Sequence, residues 1–592
     1  MGKNIKIIVN HKECLAKTGQ TILAVAKQGG IDIPSLCFHP DLEARASCRL
    51  CLVDIKDKKD LQPACSTKVE EGMIVRTESP RLSQTRKTNL ELIFGEHHKQ
   101  CPGCVLEKDC RLLELGKKYH ARVSRFANRK TKKDIVQCGP LIFDQTKCID
   151  CRNCVEVCPT GFLEVKNRGT DMIIAPSADK NKDCAHCGQC IIHCPVGAIS
   201  SAGENQDVAK PLKLKKNKVL VAQFAPAVRS SLGEAFGLPP GQVTTGQLTA
   251  GLKKLGFAYV FDTCVGADFT SVEEARELID RIAKNKGLPI FSSCCPAWVK
   301  FVETRYPRFL PNLCTTRSPQ IILGGLIKTY WARQQNLDSK NIIVVSIMPC
   351  ISKKYEIKRP ELKIKSFTKW LDGRLAFWTK ARPPVDFVLT TRELAYLFKK
   401  RHIDLKTIKP VKADNPFGNP SGAGVIYGAS GGVFESALRT AIFQTSGKNS
   451  GNLNFKALRG QAGIKKAKIK LGEITIKAVV VNGLVNAKTM LEELKKNPQA
   501  FDAMEVMACP GGCVGGGGQP MPADDATRQK RAQALYNLDA KKELRLAHEN
   551  PAVKKVYKEF STNKTIIHQL FHTRYSRKRK SKLVKLKNVK TL

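Results

Sequence analysis

The sequence predicts an α/β region of about 350 residues behind a series of small, cysteine-dense α+β domains. Three observations predict it. Beyond residue 218, apolar runs alternate with stretches of helical period, as strands and helices taken in turn would. Before residue 212, cysteines recur in close, regular groups. A chain of 592 residues is also too long for one core, and its length suggests about three to five domains.

The chain begins MGKNIKIIVN, without the charged start, apolar run and cleavage site of a secretory signal. No stretch of about 18 uninterrupted apolar residues occurs, so no membrane span is expected and the expected location is cytoplasmic. A reducing compartment keeps thiols free, so 24 cysteines point to metal binding rather than to disulfides. The formal charge of +46, from 99 Lys and Arg against 53 Asp and Glu, would ordinarily suggest nucleic acid or an anionic surface. Cluster-bound cysteines are thiolates, however, and loading should remove roughly ten positive charges. The scattered lysines read as solvated surface, and no nucleic acid partner is expected. The run RKRKSKLVKLKNVK, Arg577 to Lys590, reads as a disordered basic tail within residues 575–592.

In residues 1–80, IKIIVN reads as a strand, and TILAVAKQGGIDIPSLC as a short helix and a loop entering Cys37. Cys37, Cys48, Cys51 and Cys65 follow the order C-x10-C-x2-C-x13-C. Four thiolates with one close pair suit a [2Fe-2S] centre of plant-type ferredoxin kind, although the spacing is not the plant one. Zinc competes, but more often uses two close pairs. Cys14 lies outside the pattern and reads as a buried structural residue. In residues 81–126, HHKQCPGCVLEKDC offers His97 or His98 with Cys101, Cys104 and Cys110, in a stretch that otherwise reads as helix. Spacing leaves zinc and a [4Fe-4S] cluster nearly equal, and clusters on both sides favour iron, because redox-silent zinc would interrupt an electron path. In residues 127–212, C-x2-C-x2-C-x3-C-P occurs twice at an interval of 36 residues. In this bacterial two-cluster run the fourth cysteine of each copy ligates the other cluster. Cys148, Cys151, Cys154 and Cys194 should therefore hold one [4Fe-4S], and Cys184, Cys187, Cys190 and Cys158 the other.

After a basic linker at Lys213–Lys218, the runs VLVAQFAP, AYVFDTCVGADF, NIIVVSIMPC, DFVLTT and IKAVVVNGL read as strands, and SVEEARELIDRIAKN as a helix. Cys295 in FSSCCPAW, Cys350 in MPCISKKYE, and Cys509 and Cys513 in MACPGGCVGGGGQP are not required by the strands. Cys294 stands directly before Cys295, and adjacent side chains diverge, so one thiol can bind while its neighbour stays free. Glu274 and Glu277, three apart, share a helix face. No P-loop or dinucleotide fingerprint is evident.

FSSCCPAW, MPCISKKYE and EVMACPGGCVGGGGQP resemble the three active-site motifs of [FeFe]-hydrogenases. With the preceding cluster segments the resemblance runs to about Tyr575, in the order of large clostridial enzymes and of catalytic subunits of NAD(P)-linked complexes. It implies an α/β catalytic domain, residues 213–574, that binds the H-cluster and is preceded by α+β ferredoxin-type iron–sulfur domains. Cys295, Cys350, Cys509 and Cys513 would hold a [4Fe-4S] cubane, with Cys513 bridging to a diiron unit that carries CO, cyanide and a dithiolate with an amine. Cys294 would pass protons to and from that amine, with Glu274, Glu277 and Arg281 on the exit route. Cys314 stands where many relatives carry a relay serine, and Ala227 where many carry another serine. Lys353 would lie near a cyanide, Met348 and Met507 would pack around the diiron unit, and Pro319 and Gln320 would line its pocket. Gly515 to Gly518 would let backbone approach the cluster, and His97 is preferred over His98.

The implied activity is reversible H2 oxidation and proton reduction, with one [2Fe-2S] and three accessory [4Fe-4S] clusters. The implied partners are ferredoxin or a flavin- and NAD(P)-binding subunit, together with diiron maturation enzymes. The alternative is an electron-transfer subunit like that of respiratory complex I, whose resemblance would end near residue 212, or a sensory or scaffold relative without turnover.

Overall fold

Most of the apolar runs become strands where the sequence predicts them. The computed structural model describes residues 3–97, 104, 106, 110–126, 134–168, 171–179, 181–202, 212, 218–365, 367–371, 374–377, 381–521, 523–560 and 564–586. Cys101, His98 and most of the basic linker lie outside these residues. The chain divides into two units, Met1–Lys182 with His193–Ala202 and Lys582–Leu592, and Asp183–Ile192 with Gly203–Ser581.

In the first unit, β1 (Asn4–Val9), β2 (Lys12–Lys17), β3 (Leu52–Ile55), β4 (Gln62–Pro63) and β5 (Ile74–Arg76) form a sheet in the order β2-β1-β5-β3-β4. Strand β1 alternates exposed and buried residues, so Ile5, Ile7 and Val9 face the core with the helix Ile22–Gln28. The Thr21 hydroxyl accepts from the Ala24 amide and caps that helix. The helix Pro80–Glu96, capped by Ser79, ends at His97. Strands β6 (Ile135–Cys138) and β7 (Leu141–Asp144) form a hairpin, β8 (Leu163–Lys166) and β9 (Ile173–Pro176) another, and β10 (Ile199–Ser201) joins β7. The C-terminal run corrects the disordered-tail expectation. Leu583–Lys585 is a strand antiparallel to β6, and the Leu586 amide donates to the Ile135 carbonyl at 2.9 Å.

In the second unit, β11 (Val219–Phe224), β12 (Tyr259–Asp262) and β13 (Ile290–Phe291) precede β14 (Ile342–Met348). A hairpin, β15 (Phe367–Leu371) and β16 (Arg374–Phe377), leads to β17 (Phe387–Thr390), and β18 (Ile464–Leu471), β19 (Ile474–Asn482) and β20 (Ala503–Met507) follow. Two four-stranded sheets result, β12-β11-β14-β17, which is parallel throughout, and β13-β20-β19-β18, in which only β18 runs antiparallel. Parallel sheets covered on both faces are built from near-continuous apolar strands, which is how β11, β14 and β20 read. One predicted strand stops early: at Cys264 the run TCVGADF turns into the helix Cys264–Ala283, whose first half is buried all round.

Candidate active site

The loops that leave the carboxyl ends of parallel strands carry the thiols of the second unit, the usual place for sites in open α/β sheets. Strand β13 leads to Cys294 and Cys295, β14 to Cys350, and β20 to Cys509 and Cys513. Cys295 occupies the N-cap of the helix Pro296–Arg305, and Pro296 in its first turn fixes the direction in which the chain leaves. Cys509 is buried, and Cys295, Cys350 and Cys513 keep part of their surface accessible. Burial raises all four thiols. Cys350 is pushed up to about 12 by burial and by Cys295, and Cys509 is raised by burial and by Cys350, Cys187, Cys295 and Cys513.

Cys294 is buried, and its thiol is raised by burial and by the charges of Glu274 and Cys295. Lys353, which the spacing alone would read as half of a surface pair with Glu356, is buried. Its ammonium donates to the Cys294 carbonyl at 3.0 Å and to Glu356 Oε2 at 2.9 Å. Burial opposes that charge, but Glu356 outweighs it and holds the Lys353 ammonium above its ordinary value. Gln320 Nε2 donates to the same Glu356 oxygen at 2.6 Å, and Pro319 opens the helix Pro319–Leu326. Met507 packs with Cys294 and Tyr427, whereas Met348 packs in the main core of the parallel sheet.

On the helix Cys264–Ala283, Glu274 Oε1 is buried without a hydrogen-bond partner. Burial, with the charges of Glu505 and Glu277, raises its carboxyl well above the ordinary range, so it is held as the neutral acid. One turn on, Glu277 accepts from Cys314 Sγ at 3.1 Å, Arg281 at 2.6 Å, and the Thr315 amide and hydroxyl at 2.9 and 2.8 Å. Burial and the charges of Glu277 and Glu274 raise the Cys314 thiol, which keeps its proton.

These features, thiols that follow the ends of parallel strands and an unpartnered buried acid, coincide with matches to known proteins. The model described as the iron-only hydrogenase large subunit, C-terminal domain, matches residues 218–517. The chain belongs to the iron-only, or [FeFe], hydrogenases. The 2Fe-2S iron–sulfur cluster binding domain matches residues 2–80, the 4Fe-4S dicluster domain 147–198, and the iron hydrogenase small subunit 524–578. The chain is 40% identical to the NADP-reducing hydrogenase subunit HndD of Solidesulfovibrio fructosivorans, over 97% of this chain and 99% of that one. It is 36% identical to iron hydrogenase 1 of Clostridium pasteurianum, over 96% and 100% of the two chains. A solved variant of [FeFe]-hydrogenase HydA1 from Chlamydomonas reinhardtii superposes with a TM-score of 0.54 at 36% identity, covering 62% of this chain and 98% of that one.

This hydrogenase is therefore an oxidoreductase acting on H2, which it oxidises or forms at an H-cluster served by iron–sulfur clusters. Its residues fit the group. The four thiols follow the ends of parallel strands in buried or partly buried positions, and Glu274 Oε1 and Gln320 Oε1 are both buried without a partner. Two glycines of the run also meet protein backbone. A Cβ on Gly516 would lie 2.2 Å from the Pro349 carbonyl oxygen, and one on Gly517 2.6 Å from that of Cys187, so these glycines let protein backbone pack on protein backbone.

In the first unit of the hydrogenase, Cys37, Cys48, Cys51 and Cys65 are all buried, and the Cys48 amide donates to Cys37 Sγ at 3.4 Å. Their paired thiols, Cys48 and Cys65, together with burial raise Cys37 and Cys51. Cys148, Cys151, Cys154 and Cys194 line one cavity with Phe143 and Ile174, which brings the fourth cysteine of the second run to the first three of the other. Cys158 belongs to this unit, and Cys184, Cys187 and Cys190, all buried, to the second. His97 Nδ1 lies 2.8 Å from the Lys147 carbonyl, which can only accept, so a neutral His97 carries its lone pair on Nε2, the arrangement of a metal-ligating imidazole. Cys104 and Cys110 are partly exposed.

Sequence reasoning missed Thr315, His572 and Glu273, which extend the contacts of Glu277, and Tyr427, whose hydroxyl lies 3.0 Å from that of Ser271. It also missed Gln519, whose amide donates to the carbonyls of Ala227 and Cys513 at 3.2 and 3.3 Å. The threonine beside Cys314 was the one local signal. Among the described residues no helix is long and apolar enough to cross a membrane.

Proposed function

We propose that Cys295, Cys350, Cys509 and Cys513 hold the cubane of the H-cluster, and that Cys294, Glu274, Cys314 and Glu277, beside Arg281, carry its protons. The unpartnered, protonated Glu274 carries this reading, because a buried neutral acid costs stability unless a function keeps it. When bound, the H-cluster supplies the open metal site and the base at which H2 is split or formed. The chain supplies the rest. Lys353 fixes the Cys294 backbone through its carbonyl and is itself fixed by Glu356. The Cys294 thiol, still protonated, donates and then accepts again. Glu274, as neutral acid, can hand a proton on and be refilled. The Cys314 thiol reaches Glu277 directly.

The other thiol groups read as ligands of one [2Fe-2S] (Cys37, Cys48, Cys51, Cys65) and three accessory [4Fe-4S] clusters. One of these takes His97 with Cys101, Cys104 and Cys110. The second takes Cys148, Cys151, Cys154 and Cys194, and the third Cys158, Cys184, Cys187 and Cys190. Similarity to the NADP-reducing hydrogenase subunit HndD over nearly the whole of both chains supports electron exchange with an NADP-linked partner. The excess of lysine favours a second reading, an acidic ferredoxin steered to the surface.

The test is Cys294→Ala in protein matured with diiron enzymes. Its iron content and cluster spectra should match wild type while H2 production nearly vanishes. Wild-type turnover in that variant would overturn the relay.

A further inference from the structure

We propose that His572 is a proton outlet of the hydrogenase, exchanging protons between Glu277 and solvent through the Thr315 hydroxyl. The proposal rests on the reading of Glu277 as the outer end of the relay. Its starting point is a chemical limit of Arg281. A guanidinium stays protonated in proteins, so the Arg281 side chain can fix the Glu277 carboxylate at 2.6 Å but cannot take a proton from it or return one. A group that loads and unloads near neutrality is needed, and histidine is the side chain suited to it.

Thr315 Oγ1 lies 2.8 Å from Glu277 Oε2 and 2.9 Å from His572 Nδ1. His572 Nε2 lies 3.1 Å from Glu273 Oε2, and the other Glu273 oxygen accepts from the Tyr557 hydroxyl and from Arg276 at 2.8 Å. The backbone holds this chain of contacts in place. Thr316 and His572 form an antiparallel bridge, the Thr573 amide donates to the Thr315 carbonyl at 2.8 Å, and Arg317 Nε donates to the His572 carbonyl at 2.7 Å. The His572 side chain is 17% exposed against 6% for Glu273, so the ring itself reaches solvent. The charged and titratable groups around the ring are Glu273 with Arg276, Glu277, Tyr557, Arg317 and the stacked ring of His568 at 5.6 Å.

Donors and acceptors allow two complete patterns. With both glutamates ionised, each can only accept. The Thr315 hydroxyl then donates to Glu277, and the ring donates through Nδ1 to Thr315 and through Nε2 to Glu273, which requires the imidazolium. With Glu277 protonated, its O–H donates to Thr315 Oγ1, the Thr315 O–H donates to Nδ1 of a neutral ring, and Nε2–H still faces Glu273. The two patterns differ by a shift of two protons and no electrons. The Glu277 O–H breaks as a new O–H forms on Thr315, and the old Thr315 O–H breaks as Nδ1–H forms. The imidazolium then gives its Nε2 proton to water beside Glu273, and uptake of a proton at Nε2 with loss of the Nδ1 proton restores the starting tautomer. H2 production runs the same steps inward.

His572→Gln and His572→Ala test this. Glutamine keeps a donor and an acceptor but cannot load a proton. H2 production should fall by roughly a hundredfold in both, the lower end of what a lost proton-transfer group costs. The pH profile should flatten, infrared bands of the matured site should stay as in wild type, and added imidazole should restore His572→Ala but not His572→Gln. Wild-type rate and pH profile in His572→Gln would overturn the proposal, as would slow variants that keep the wild-type pH profile and ignore imidazole. Wild-type turnover in Glu277→Gln would instead remove the relay reading. In cofactor-free protein with nitrogen-labelled histidine, the His572 ring-nitrogen resonances at fixed pH should move in Glu277→Gln, and unmoved resonances contradict the coupling through Thr315.

Discussion

Replacing Cys314 separates proton conduction from packing. The side chain is 1% exposed, and its sulfur lies 3.1 Å from Glu277 Oε2 and 3.3 Å from Thr316 Oγ1. Cys314→Ala deletes one buried heavy atom, about 1 kcal/mol of burial and cavity cost. It also removes one hydrogen bond, worth about 0.5–1.5 kcal/mol net. The stability loss should therefore be about 2 kcal/mol, far too little to unfold a protein of this size. A lost proton-transfer group, in contrast, costs ~10²–10⁴ in rate, so turnover of Cys314→Ala should fall at least tenfold even where water partly fills the space. Cys314→Ser keeps a donor and acceptor, and its hydroxyl makes shorter, stronger hydrogen bonds, so it should retain or exceed wild-type turnover. Burial and the charge of Glu277 raise the thiol, which stays protonated through neutral pH, so the two active forms should share one pH profile. The assay is H2 production against pH from a reduced dye, with thermal unfolding alongside. Equal wild-type rates in both variants would refute a conducting role for Cys314.

Glu274→Gln should abolish most turnover yet protect the fold at high pH. The raised native carboxyl contributes stability that is complete below the unfolded glutamate range and is lost as pH rises through its native value, so the variant's Tm advantage should widen towards alkaline pH, and a constant difference would contradict this. Gly516→Ala would set a Cβ 2.2 Å from the Pro349 carbonyl, one residue before Cys350, and should lower iron loading of the matured site in an iron assay, whereas normal loading would deny the close packing a role. If an acidic ferredoxin is the electron partner, its association rate measured by rapid mixing should fall steeply with salt, and a flat rate would favour the NAD(P)-linked assembly.

The iron–sulfur domains matched at residues 2–80 and 147–198 were legible in the sequence because metal binding fixes residue type and local spacing together, as in the two C-x2-C-x2-C-x3-C runs. Strands such as β14 were legible because a strand buried on both faces is apolar throughout. The start of the helix at Cys264 was not, since a helix buried all round has no polar stripe and TCVGADF reads equally as strand. The Leu583–Lys585 strand was hidden by its basic surroundings, because its stability comes from pairing with β6 rather than from its own composition. Thr315, His572 and Glu273 are ordinary residues in sequence, and contacts spanning 257 and 299 positions bring them together. Lys353 and Glu356 looked like a surface pair, and only the tertiary fold buries them against the Cys294 carbonyl.

The central claim, that Cys295, Cys350, Cys509 and Cys513 hold an H-cluster, is tested most directly by infrared spectroscopy of the full chain produced with and without diiron maturation enzymes. The account predicts CO and cyanide stretching bands only in the matured protein, lost in Cys513→Ala while the accessory clusters remain. Matured protein with its full iron–sulfur content and no such bands would contradict it.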